Sequence, residues 1–170
     1  MHTTRIRHFP VARLAAVIVA LAAAVTLASV AVAVAGSVAA KQQVQITIQG
    51  NDSGPGTFKL TPLQGGAVKQ DSGATNVALN GPRVVMREGQ RIEIWNNVWT
   101  HSGKRGSLTI KERLEWIDAG DNFIGVGTWK VVRGTGAYAG VTGSGGTAET
   151  GTNHGNGKWV IRQDGFLTLR

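Results

Sequence analysis

The chain contains no cysteine. Disulfides, thiolate metal sites, thiol nucleophiles and a lipid anchor on cysteine are therefore all excluded. Histidine is almost as scarce: beyond residue 40 only His101 and His154 remain, and neither has carboxylates at metal-ligand spacing. No metal centre and no cofactor are expected on that count. Proline occurs four times and aromatics make up 6% of the chain. No stretch after residue 40 carries the 3.6-residue apolar period of a helix. No serine has glycines at both −2 and +2, so the nucleophile elbow of esterases is missing. Gly155-Asn156-Gly157-Lys158 lacks the first glycine and the final Ser/Thr of a phosphate-binding loop. Gly134-Thr135-Gly136 opens like a dinucleotide fingerprint, but no helix follows it.

What is present divides the chain in two. Arg5, Arg7 and Arg13 precede Leu14 to Ala40, a run of 27 residues without a charge. A basic start, an apolar middle and small residues at Val38-Ala39-Ala40 describe a signal peptide over residues 1–40. Cleavage after Ala35 is a second option. The alternative is a membrane anchor over residues 14–40, since the run exceeds the roughly 18 residues needed to span. Its alanine content weakens insertion relative to a Leu/Ile/Phe helix. With cleavage the protein is secreted, extracellular or associated with the cell wall, and free of the membrane.

Residues 41–170 keep all ten acidic residues and fifteen of the eighteen basic ones, a net charge of +5 (15 − 10). In sequence these charges are dispersed, which reads as a solubilising surface. No Lys/Arg stripe is interleaved with aromatics, so no nucleic-acid partner is expected.

The same segment reads as β-structure throughout. Val44, Ile46 and Ile48 alternate with Gln45 and Thr47, and Phe58 and Leu60 alternate with Lys59. Further strands are expected near 67–70, 77–79 and 84–86. The two longest are 91–101 and 106–118, a strand at 123–133 follows, and the last are 158–163 and 166–170. Many short strands with turns about every ten residues imply a sandwich or a barrel. The stretch from Gly125 to Gly146 runs strand, Gly134-Thr135-Gly136, Tyr138, Gly140, then a second glycine cluster, which is how a small barrel turns its wall.

Gly127-Thr-Trp-Lys-Val-Val-Arg-Gly-Thr-Gly-Ala-Tyr-Ala-Gly140 resembles the G-T-W-x-V-x-x-G-T-G-x-Y/F-x-G signature of bacterial allene oxide cyclase barrel-like proteins, relatives of plant allene oxide cyclases and dirigent proteins. Thr57 to Pro62 and Gly103 to Leu108 resemble strand and hairpin pieces of that group. The resemblance implies a single antiparallel barrel of about eight strands over residues 41–170. It carries no catalytic motif onto this chain residue by residue.

One strand holds a candidate site. Leu108, Ile110, Leu114 and Trp116 share a face, and Glu112 stands in the middle of it. In the preceding strand Ile92, Ile94 and Val98 share a face with Asn96. A hairpin joining the two apolar faces needs an even register sum. A three-residue loop (102–104) then sets Ile94 opposite Glu112, and a five-residue loop (102–106) sets Asn96 there. The expected result is a carboxyl and an amide meeting inside an apolar wall. Such a pair is either a satisfied structural contact or the polar point of a ligand pocket.

Of the five tryptophans, Trp116 and Trp129 join Asn96, Glu112 and Tyr138 as candidate ligand-binding residues, with Glu112 the candidate acid for catalysis. The function expected is binding of a small apolar ligand in the barrel. A cofactor-free isomerase or cyclase and a filled structural barrel are the alternatives, and self-association is left open.

Overall fold

The structure, a computed structural model, describes residues 40–52, 55–153 and 157–169. The signal-peptide reading of residues 1–40 falls outside these, apart from Ala40. No helix among the described residues is long and apolar enough to cross a membrane.

The described chain is all-β. Its strands are β1 (Lys41–Asn51), β2 (Gly56–Pro62), β3 (Asp71–Ala78), β4 (Arg83–Arg87), β5 (Gln90–Gly103), β6 (Gly106–Ala119), β7 (Asn122–Gly134), β8 (Thr142–Thr152) and β9 (Lys158–Thr168). All pairings are antiparallel, in the order β3-β2-β1-β9-β8-β7-β6-β5, and β3 pairs back onto β5. Eight strands thus close a barrel, which removes its sheet edges. The short β4 is the extra strand: it pairs with residues 90–94 of β5, beyond the segment that β3 occupies.

Alternation decides what faces in. Val44, Ile46 and Ile48 of β1 have no exposed surface, and Leu108, Ile110, Glu112 and Leu114 of β6 are buried. Of these, Val44, Ile46, Ile48, Leu108 and Ile110 pack with Phe58, Leu60, Trp99, Trp129, Ile161 and Leu167 into one core. Burial of that apolar surface is the main favourable term in the fold.

The sequence expectation is corrected in four places. The strand expected at 67–70 is absent: those residues are irregular, and the piece expected at 77–79 belongs to the longer β3, while the two pieces expected at the C-terminus are one strand, β9. β8 was not expected at all. Its inward positions are Gly143, Gly145, Thr147, Glu149 and Gly151, so it shows no apolar alternation. It is held by ladders to β7 and β9 on either side.

The fourth correction is the β5–β6 register. The turn is the two residues Lys104-Arg105, between paired Gly103 and Gly106. This sets Asn97, not Asn96, opposite Glu112. A one-residue slip exchanges the two faces of a strand. The inward face of β5 is therefore Glu93, Trp95, Asn97, Trp99 and His101, while Asn96 is exposed on the outer surface.

The glycine corner turns the wall as its composition suggests. Gly136 has φ +58 and starts a single 3-10 turn (Gly136–Tyr138). Any Cβ on Gly134 would run into the Tyr138 carbonyl. A side chain at either point is excluded by strain or by contact.

Candidate functional site

The two ends of the barrel differ. One is shut. Asp71, 6% exposed, accepts the Tyr138 hydroxyl (3.0 Å) and the backbone N–H groups of Ser72 (2.9 Å), Lys104 (3.1 Å) and Arg105 (3.3 Å). A single carboxylate thereby ties β3, the β5–β6 turn and the glycine corner together. Burial, reinforced by the Asp71 hydrogen bond and charge, raises the Tyr138 phenol above its ordinary range. Gln42 does the same work for the segment after β2. Its amide donates to the carbonyls of Gln64 (2.8 Å) and Val68 (3.0 Å) and accepts from the Val68 N–H (2.8 Å).

At the waist lies Glu112, 2% exposed. Its Oε1 accepts from Thr147 Oγ1 (2.7 Å) and Gln163 Nε2 (3.1 Å). Its Oε2 accepts from Trp99 Nε1 (2.7 Å) and, at the long limit, from Asn97 Nδ2 (3.5 Å). Every partner donates, the pattern of an ionised carboxylate. Strand β5 supplies two members, and β6, β8 and β9 one each.

His101, 1% exposed, extends the network. Its Nδ1 lies 2.8 Å from Thr75 Oγ1. The other ring nitrogen has no partner at hydrogen-bonding geometry, although the Gln163 amide is near enough to favour a charged ring slightly. Burial dominates and draws the imidazole down to about 4, so the ring is neutral at pH 7. The Asn97 and Gln163 side-chain oxygens are also unpaired.

The other end is open. Here the inward-facing Trp95, Trp116, Phe123, Glu149 and Trp159 are each only partly buried. Trp116 packs on Phe123, with ring centroids 5.1 Å apart, and Trp99 on Trp159 at 6.0 Å. Glu93 is already engaged, by Arg91 (2.6 Å) and by Trp95 Nε1 (3.1 Å).

Glu149 is not engaged. It sits opposite Gly125, which in turn lies opposite Trp116, so the carboxyl and the indole flank a position without a side chain. Its oxygens have no hydrogen-bond partner among the described residues. Burial first, and then the charge of Glu112, push its carboxyl up to about 8. At neutral pH Glu149 therefore carries its proton and offers an O–H.

The structure separates the five residues singled out from the sequence. Trp116 is at the open end and Glu112 at the waist. Trp129 is 2% exposed, with its Nε1 donating to the Gly146 carbonyl (2.9 Å), and fills the core. Tyr138 belongs to the shut end and Asn96 to the outer surface. Sequence reading missed Asn97, Thr147, Glu149 and Gln163. Only Glu149 left a signal, as the sole acid in a run of glycine and threonine. Among the described residues no three His, Asp or Glu side chains could hold a metal ion together.

Comparison with known proteins gives no match: no known family, no curated protein and no solved structure is similar enough to this chain.

Proposed function

We propose that the chain is an exported barrel that takes a small, largely apolar molecule into its open end and hydrogen-bonds one polar group of it through Glu149. The observation that carries this reading is the unpartnered Glu149 carboxyl among half-buried aromatic rings. A mostly apolar opening with one well-placed polar group is the usual make-up of a small-molecule site. The resemblance of Gly127–Gly140 to the allene oxide cyclase barrel-like group is consistent with it. So is the secretory pattern of residues 1–40.

The same geometry favours a second reading, a cofactor-free isomerase or cyclase. An acid held near pH 8 suits proton donation at neutral pH. In that reading Glu149 moves the proton, because both oxygens of Glu112 are already occupied.

Native mass spectrometry of protein purified from its own host tests the binding. A retained mass is expected on the wild type, diminished by Trp116→Ala and unchanged by Asn96→Ala. Bare protein throughout would leave a filled structural barrel. Should the retained molecule be converted, Glu149→Gln separates the readings: turnover lost with binding kept identifies the enzyme. N-terminal sequencing of the secreted protein tests export, with Lys41 or Gly36 expected first. Full-length chain in the membrane fraction would establish the anchor instead.

A further inference from the structure

The outer face of β5–β7 carries a feature unrelated to the barrel interior. Lys111 on β6 and Lys130 on β7 are direct cross-strand partners. Like charges directly opposed on a sheet are destabilising. Among the described residues neither lysine forms an ion pair, whereas Arg87 and Arg113 share Glu115, Arg91 pairs with Glu93, and Arg162 with Asp164. Four exposed arginines are thus ion-paired, while these two lysines face each other across the strands.

They face into a groove of about 580 Å³. Its floor is the wall at Asn97, Glu112 and Trp129, whose side chains turn inward. Lys111, Arg113 and Lys130 stand along it, Asn96 and Thr128 add polar groups, and Ala78 to Asn80 form one side. That side is fixed by the Asn96 N–H donating to the Asn80 carbonyl (2.8 Å). Glu112 is the only acid in the lining, and its carboxylate is committed inside the barrel.

We propose that this groove is a binding site for the phosphate group of a small phosphorylated molecule. Two ammonium groups and a guanidinium suit a doubly charged tetrahedral anion, Arg113 keeping N–H donors beyond the one given to Glu115. An anion between Lys111 and Lys130 would also cancel the repulsion that the empty face bears. The groove exceeds the size of a phosphate ion, and Leu79 and Val98 offer apolar surface to the rest of the ligand.

The test is an amide-shift NMR titration of the full-length chain with inorganic phosphate and with glycerol 3-phosphate. Saturable shifts are expected at Lys111, Arg113 and Lys130, strongest at low ionic strength, where exposed charges are least screened. The double variant K111Q/K130Q should bind glycerol 3-phosphate about tenfold more weakly or worse, the loss of two charge-assisted contacts. Without ligand it should melt at the same temperature as the wild type or higher, which keeps loss of binding distinct from loss of fold. Non-saturating shifts, or equal affinity in the double variant, would overturn the proposal. So would binding to vesicles containing phosphatidylglycerol without binding to either soluble phosphate, since the partner would then be a membrane surface.

Discussion

The shut end of the barrel and the open end are built from the same strands, yet they treat carboxyl groups in opposite ways. At the shut end Asp71 is surrounded by four donors and holds three segments in place. At the open end Glu149 is semi-buried, protonated and unpartnered. A buried polar group without a partner costs about 1–3 kcal/mol. A chain that satisfies its acid so fully at one end had the means to do so at the other. The difference marks the shut end as structural and the open end as the place where a partner is missing.

The largest effect should come from breaking the shut end. Asp71→Ala leaves the Tyr138 hydroxyl and three backbone N–H groups without an acceptor, and should destabilise the protein by about 3 kcal/mol or more in urea denaturation. Next in size, Gly136→Val places a β-branched residue at φ +58 and drives its Cβ toward the Arg105 carbonyl. About 2 kcal/mol should be lost. At the open end the sign reverses. Glu149→Gln should stabilise the protein at pH 8 by about 1 kcal/mol, a figure discounted for partial exposure, because a neutral amide no longer has to be kept from ionising. A destabilised Glu149→Gln would mean that Glu149 is paired and the two ends are alike.

The pH profile sharpens the contrast. Glu149 binds a proton more tightly folded than unfolded, so between its ordinary range near 4.5 and about 8 it lowers stability as pH rises. His101 binds a proton less tightly when folded, so between about 4 and 6.5 it raises stability as pH rises. The two contributions oppose each other up to about 6.5. Above that Glu149 acts alone, and the thermal midpoint should fall toward pH 8. Glu149→Gln should abolish that fall and expose the His101 rise below it. The smallest effect belongs to Asn96→Ala on the outer surface, within about 0.5 kcal/mol of the wild type.

The sequence made the regular walls legible and the irregular one invisible. β1 and β6 show alternation because their inward positions bear Val, Ile and Leu. β8 does not, because three of its five inward positions are glycines whose Cβ space is taken by side chains or backbone of its neighbours. Phe123 lies over Gly151, where a Cβ would strike its ring. Information about β8 therefore resides in β7 and β9, not in β8.

Glu112 stood out as the one acid on an apolar face. Its partners did not, because both faces of β5 look apolar: Ile92, Ile94 and Val98 on one, Trp95 and Trp99 on the other. Turn length chose between them, and a two-residue turn gave Asn97 where the apolar pattern pointed to Asn96. Glu149 was passed over with its strand, although it is the sole acid between Thr142 and Thr152. The lysines of the outer groove looked dispersed, since 18 intervening residues separate Lys111 from Lys130 in sequence.

The central claim, that the open end keeps a protonated carboxyl free for a ligand, is tested most directly by following the Glu149 side-chain carboxyl with ¹³C NMR from pH 4 to 10. A midpoint near 8 is expected, returning toward the ordinary range in the unfolded protein. A midpoint near 4.3 in the folded protein would show a solvated carboxylate and contradict the account.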